Sequence, residues 1–66
     1  MKAYDRVLKI LMLADTKAVS GAEIAQICGL WSGSLYVALL RLEDEGKIVS
    51  WFENGPEPRR RLYHLR

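Results

Sequence analysis

The chain has 66 residues, of which 50% are hydrophobic and 27% are charged, and its formal net charge is +2 at pH 7. A chain of this length is expected to form one domain over residues 1–66, which buries only about 60% of its unfolded surface and leaves little room for a deep enzyme pocket. The composition is typical of a folded domain and not of a disordered tail, and no apolar run reaches the roughly 18 residues of a membrane span.

The first predicted element is a helix over about residues 3–15, where apolar side chains recur at helical spacing. The stretch TKAVSGAE interrupts this pattern. Ser20 and Glu23 then have the spacing of a capping box and predict the start of a second helix, over about residues 21–28. Its expected inner face carries Ile24, Ile27 and Cys28, and the helix is expected to end at Gly29, which suits a left-handed C-cap.

A third helix is predicted over about residues 33–45, with Ser32 as its N-cap. Leu35, Leu39 and Leu42 have the spacing of one buried helical face, and Gly46 ends the pattern. Two helices joined by a turn of three or four residues, with a glycine in the turn, are typical of a helix-turn-helix.

The remaining sequence, about residues 47–65, predicts an antiparallel hairpin. KIVSWFE and RRRLYHL both alternate with a period of two, and NGPEP between them is rich in turn residues. Since an isolated hairpin is marginally stable, Ile48, Phe52, Tyr63 and Leu65 are expected to pack on the helices. The predicted fold is therefore α+β and mainly helical: a winged helix-turn-helix, with three helices followed by a two-stranded wing.

In such a fold the third helix is the candidate reader of DNA, because the major groove admits one helix and its N-terminal residues reach the base edges. The acids Glu43, Asp44 and Glu45 would repel phosphate, so the C-terminal end of this helix is expected to point away from DNA. Two alternatives stay open: the serines serve only as helix caps, and Tyr36 is a half-buried core residue. The candidate contacts on this helix are Ser32, Gly33, Ser34, Tyr36, Val37 and Arg41.

The wing carries a second candidate contact, the run Arg59, Arg60 and Arg61. Arginines that neutralise phosphates release condensed counterions, which favours binding to a duplex. A solvated run of charges is the alternative. Side chains alternate along a strand, so Arg60 is expected to point opposite to Arg59 and Arg61.

The segment from residue 34 onward resembles the core of the PadR-like winged-helix transcription regulators. The resemblance is carried by Ser34-Leu35-Tyr36, Ala38-Leu39, Arg41-Leu42-Glu43, Glu45-Gly46, Ile48-x-Ser50, Gly55-Pro56, the arginine run and Tyr63-x-Leu65, and upstream by SGAEIAQ. The resemblance implies a DNA-binding transcription regulator that represses by occupying an operator. Val37 stands where the family often has proline.

Members of that family usually continue into a C-terminal helical region used for dimerisation and sometimes for sensing ligands. We expect this chain to be a short form without that region, so no small-molecule inducer is evident. The apolar arc of the first helix spans roughly 200°, about twice what one surface helix needs. This excess predicts a homodimer held largely through the first helix. The alternative is a monomer whose first helix simply has an unusually wide apolar surface. The predicted interface residues are Tyr4, Leu8, Met12 and Leu13.

The predicted function is sequence-specific binding to double-stranded DNA by a transcription regulator, expected to be a repressor. The alternative is a winged-helix module that binds protein. Cys28 is the only cysteine and His64 the only histidine, which excludes an internal disulfide and a Cys/His metal cluster. With no catalytic set identifiable, no enzyme activity and no cofactor are predicted. Asp5 precedes any apolar stretch that a signal peptide would need, so a cytoplasmic, nucleoid-associated protein is expected.

Overall fold

A computed structural model describes residues 2–29 and 33–66. Ser32, the predicted N-cap of the third helix, lies outside the described residues. The elements follow the predicted order with one addition, a short strand before the second helix. They are α1 (Ala3–Ala14), β1 (Val19–Ser20), α2 (Gly21–Cys28), α3 (Gly33–Asp44), β2 (Ile48–Phe52) and β3 (Arg61–Leu65).

Helix α1 provides the central surface on which the other helices pack. Val7 and Leu11, one turn apart, are fully buried, and α1 contacts both α2 and α3. The helix ends at Ala14, one residue before the predicted limit, because Asp15 has a φ of 57° and leaves the helical path while its N–H donates to the carbonyl of Leu11.

Helix α2 begins with the predicted capping box and ends at the predicted glycine. The Glu23 N–H donates to the Ser20 hydroxyl oxygen at 3.1 Å, and the Ser20 N–H donates to the Glu23 carboxylate at 3.2 Å. These two bonds satisfy amides that the first turn leaves free. At the other end Gly29 adopts a left-handed conformation with a φ of 71°, where glycine avoids the strain of a side chain.

The inner face of α2 was predicted wrongly at one position. Ile24 and Ala25 are fully buried and Cys28 is half-buried against the core, whereas the side chain of Ile27 is 65% exposed. At 100° per residue, Ile27 lies about 110° from the centre of the face that the other three define. An eight-residue helix has too few turns for periodicity to select between these two faces.

The sheet has three strands instead of the predicted two, in the order β1-β3-β2 with both pairings antiparallel. Val19 pairs with Tyr63 and Ser20 with Leu62, so β3 is the central strand. Two residues are too few to show the alternation by which a strand is recognised in a sequence. Strand β1 is therefore defined only by its pairing with β3, and this pairing attaches the wing to the start of α2.

The core lies between the three helices and one end of the sheet. Ile48 and Tyr63 are buried there and Leu65 is partly buried, as predicted, but Phe52 is 55% exposed. Phe52 pairs with Arg61 at the end of the β2–β3 ladder opposite to Ile48, beyond the reach of the helices. The Arg61 guanidinium lies over its ring, 5.2 Å from the centroid. The buried hydrophobic residues are Val7, Leu11, Val19, Ile24, Ala25, Leu35, Ala38, Leu39, Leu42, Ile48 and Tyr63.

Residues 2–29 and 33–66 contain neither a membrane-spanning helix nor a cluster of metal-binding side chains. In that part of the chain, no helix has both the length and the apolar character that crossing a membrane requires. Nor do the described histidine, cysteine and acidic side chains come together in groups of three or more that suit a metal ion.

Candidate nucleic-acid interface

Helix α3 buries one face and presents the other to solvent. Leu35, Leu39 and Leu42 lie in the core as predicted, and this fixes the rotation of the helix. The predicted reading residues Gly33, Ser34, Tyr36, Val37 and Arg41 are all exposed. Ser32, the remaining member of the predicted set, lies outside the described residues.

Tyr36 and Leu40 form a second exposed row on α3, towards the wing. The Tyr36 side chain is 54% exposed, which favours a surface role over the alternative of a half-buried core residue. Leu40 is 63% exposed and was not among the predicted contacts. Leu40 was missed because its apolar side chain was not counted as a DNA contact. Its place one turn after Tyr36 nevertheless puts it on the same face.

A groove of about 550 Å³ separates this row from the wing. Its walls bring together the start of α2, the exposed row of α3 and two arginines of the wing, three parts of the chain that are distant in sequence. Its lining residues are Ser20, Gly21, Ala22, Tyr36, Leu39, Leu40, Glu43, Arg60, Arg61 and Tyr63.

The arginine run divides differently from the predicted alternation. Arg60 and Arg61 both line the groove, whereas Arg59 pairs with Glu57 at 3.0 Å in the wing loop. Strand β3 begins only at Arg61, so the alternation of a regular strand does not govern Arg59 and Arg60. The three arginines are not equivalent, as expected, but the two that lie together are Arg60 and Arg61 and not Arg59 and Arg61.

Both groove arginines have carboxylate partners. Arg60 donates two hydrogen bonds to Glu53, each of 3.1 Å, and lies 3.8 Å from a carboxylate oxygen of Glu23. Arg61 donates to the Ser50 hydroxyl at 2.8 and 3.0 Å and lies 3.8 Å from Glu43. The positive charge on this side of the groove is therefore partly neutralised within the protein.

Glu43 departs from the expectation that the acids of α3 point away from the DNA-binding side. It lines the groove and accepts a hydrogen bond of 2.9 Å from the Ser50 hydroxyl. The next acids in the sequence, Asp44 and Glu45, are not among the groove's lining residues. The wing folds over the last turn of α3, and this contact places one acid beside the arginines.

Arg41 is held against helix α1 by a small polar cluster. Its guanidinium lies 4.9 Å from the centroid of the Tyr4 ring, and its Nε donates to Glu45 at 3.2 Å. The Tyr4 hydroxyl donates to Glu45 and accepts a hydrogen bond of 2.7 Å from Lys47. The bond from Tyr4 lowers the pKa of Glu45, and the bond to Tyr4 raises the pKa of Lys47, so both stay charged at neutral pH.

The four predicted dimer residues do not share one environment. Tyr4 and Leu8 are half-buried and pack against the core of their own chain, whereas Met12 is 61% exposed and Leu13 is 77% exposed. Leu13 and Ile27 border a hollow of about 250 Å³ between α1 and α2. The available apolar surface therefore centres on the C-terminal half of α1 and extends onto α2, where sequence periodicity had placed Ile27 inside.

We predict that Ser34→Ala and Arg41→Ala shift the sequence preference of DNA binding. A lost contact to a base edge should cost about 1 to 3 kcal/mol at one base pair and little elsewhere. The measurement is the binding profile of each variant on a library of duplexes, with Lys9→Ala on the other side of α1 as the control. If both variants keep the wild-type profile, these two side chains do not read bases.

Comparison with known proteins supplies the family. No protein-family model and no curated protein matches the chain. Among solved structures, smu.1704 from Streptococcus mutans UA159 is similar, with a TM-score of 0.74, 26% identity, and coverage of 97% of this chain and 64% of that one. This chain thus spans less than two thirds of that protein.

A second solved structure is a PadR family transcription regulator from hypervirulent Clostridium difficile R20291. Its TM-score is 0.72, and the match covers 96% of this chain and 72% of the regulator. The three helices and small antiparallel sheet are common to both. With 30% identity over almost its whole length and the same winged helix-turn-helix fold, this chain belongs to the PadR family of transcription regulators.

Proposed function

We propose that this protein is a repressor that binds a specific double-stranded DNA operator, with α3 in the major groove and the wing arginines on the phosphate backbone. The observation that carries the proposal is the groove, because it places the exposed row of α3 and two arginines on one side of the molecule. A helix and a wing that approach DNA together need this arrangement. Family membership itself implies DNA binding by a non-enzymatic regulator.

The charge distribution along α3 supports an approach by its N-terminal end. Residues 33–40 contain no charged side chain, and the acids are confined to residues 43–45. The N-terminal half can therefore come close to the polyanion without repulsion. Serine hydroxyls bond to base or phosphate oxygens, and an apolar side chain such as Val37 suits a thymine methyl group.

One observation favours a second candidate, a module that binds protein. Tyr36, Val37 and Leu40 are all more than half exposed and give α3 an apolar outer surface. Apolar side chains at this density are also found at protein interfaces. In that case the arginines would meet an acidic partner instead of phosphates.

Selection from random duplexes separates the two candidates. The protein is immobilised, incubated with a pool of random duplexes, and the bound DNA is sequenced. We expect one enriched motif, and an affinity for it that falls linearly with salt on a log–log plot while discrimination against competitor DNA persists. A pool that is not enriched, or an affinity that salt leaves unchanged, would contradict operator binding.

We also propose that the protein is a homodimer held through the exposed end of α1. Met12 and Leu13 are the large apolar side chains of α1 that are exposed, and Ile27 lies across the hollow from Leu13. A two-fold dimer sets two recognition helices on half-sites about one helical turn apart, roughly 34 Å, and so favours a palindromic operator.

The variant Met12→Glu with Leu13→Glu is expected to be monomeric at micromolar concentration, because charged side chains at a buried interface lose their solvation. Sedimentation velocity of the wild type and the variant measures this. Leu40→Glu makes the same kind of change on exposed surface elsewhere and should leave the dimer intact. A wild-type species of 7.5 kDa, free and in a one-to-one complex with DNA, would show that the protein is a monomer.

A further inference from the structure

Arg60 joins the wing to the helix-turn-helix through two carboxylates. Its Nε and Nη2 donate to the two oxygens of Glu53, each at 3.1 Å, and its Nη1 lies 3.8 Å from Glu23. Glu53 belongs to the wing, and its N–H donates to the Arg60 carbonyl at 3.0 Å. Glu23 belongs to the first turn of α2. The guanidinium is thus held between two acids from two different parts of the fold.

This arrangement occupies the donors that a phosphate would use. A guanidinium presents its N–H groups in a planar fork, and a carboxylate and a phosphate both accept that fork with two parallel bonds. The fork of Arg60 that faces Glu53 is therefore taken in the free protein. A DNA phosphate that binds there has to displace the carboxylate.

The displacement is feasible because the pairs are open to solvent. The Arg60 side chain is 58% exposed, that of Glu23 is 54% exposed and that of Glu53 is 33% exposed. Ion pairs this open to solvent are weak, and the bidentate pair with Glu53 is the stronger of the two. The bond from Arg60 lowers the pKa of Glu53, and the bond from the Ser20 backbone lowers the pKa of Glu23. Both acids therefore keep their negative charge at neutral pH, beside the groove where a phosphate is expected.

From this geometry we propose that Glu53 and Glu23 bind the Arg60 guanidinium where a DNA phosphate would otherwise bind it. This competition lowers the protein's affinity for any duplex. The inference rests on the DNA-binding function proposed above. It assigns the two glutamates as positioning residues that act through Arg60 and set the strength and the salt dependence of binding.

Salt dependence distinguishes such an exchange from simple binding. A phosphate neutralised by a free arginine releases condensed counterions and contributes about 0.9 to the slope of log K against log salt. When the arginine leaves a carboxylate, that carboxylate regains cations from solution, and part of the release is cancelled. Removing the carboxylate charge is therefore expected to strengthen binding and to steepen the slope together.

The test uses Glu53→Gln, Glu23→Gln and the double variant. Glutamine at position 23 can still accept the Ser20 N–H, so the capping box remains. Each single variant is expected to bind specific and random duplexes about two- to fivefold more tightly at low salt, and the double variant up to about tenfold. The slope of the double variant should steepen by up to about 0.9.

Asp44→Asn is the matched control, since it removes one negative charge and none of the ion pairs among the described residues involves Asp44. It should leave affinity and slope nearly unchanged. In an Arg60→Ala background, Glu53→Gln should have no more effect than this control, because the two side chains act as a pair. Additive effects of Arg60→Ala and Glu53→Gln would overturn the proposal.

Two further outcomes count against it. Glutamate variants that bind as the wild type does, or more weakly, would show that the carboxylates do not compete with phosphate. A wild type that binds no duplex at any salt concentration would instead overturn the DNA-binding function, and this inference with it. The titration of the wild type thus tests the DNA-binding function. The ratio of variant to wild-type affinity tests the role of the two glutamates.

Discussion

Replacing Leu42 with alanine is expected to destabilise the fold by about 2 to 5 kcal/mol and to leave most of the protein unfolded at 37 °C. Leu42 is fully buried in α3, in the same core cluster as Val7, Leu11 and Ile24. The substitution removes apolar contacts and leaves a cavity that the surrounding helices fill only in part. A core of this size rarely supplies more than about 3 to 5 kcal/mol in total, so one such cavity is comparable to the whole stability.

Urea unfolding followed by far-ultraviolet circular dichroism measures this effect. Leu40→Ala is the matched control, because it makes the same chemical change in the same helix at a side chain that is 63% exposed. The control should shift the free energy of unfolding by less than about 0.5 kcal/mol. Equal losses for the two variants would contradict the orientation of α3 described here.

The double variant Arg60→Ala with Arg61→Ala is expected to bind specific and random duplexes alike at least about 100-fold more weakly at low salt. A hydrogen bond to a charged group contributes about 1.5 to 3 kcal/mol, and contacts to phosphate carry little base information. The salt slope should become shallower by up to about 1.8, the release from two phosphates. Titrations of both duplexes at several salt concentrations provide the measurement.

Arg6→Ala with Lys9→Ala removes the same charge from the hollow between α1 and α2 and serves as the control. It should change affinity far less, since only nonlocal attraction is lost. Arg60 and Arg61 also pair with Glu23 and Glu43, so a thermal melt has to show that the double variant is folded. A folded variant with the wild-type salt slope would remove the wing arginines from the interface.

Local signals in the sequence were sufficient for the helices and their order. The capping box of Ser20 and Glu23, the glycine at position 29 and the leucine spacing of α3 all act within about one helical turn. Such interactions depend on neighbours in the chain, so a pattern of residues identifies them. The linked motifs from Ser34 to Leu65 were also enough to suggest the family that the comparison then confirmed.

The remaining features depend on which distant parts of the chain meet. Strand β1 is defined by β3, more than forty residues later, and Ile27 is exposed because the position of α1 selects another face of α2. Phe52 is exposed because the wing extends past the helices.

The same division holds within the candidate site. Residue types alone indicated that the arginines and the outer face of α3 were suited to DNA. Their carboxylate partners were set by the fold, which brings Glu23 and Glu53 to Arg60 from two separate segments. Composition and periodicity therefore determined the elements and the chemistry they carry, whereas long-range packing decided which charges face each other, because electrostatic pairing depends on distance in space and not along the chain.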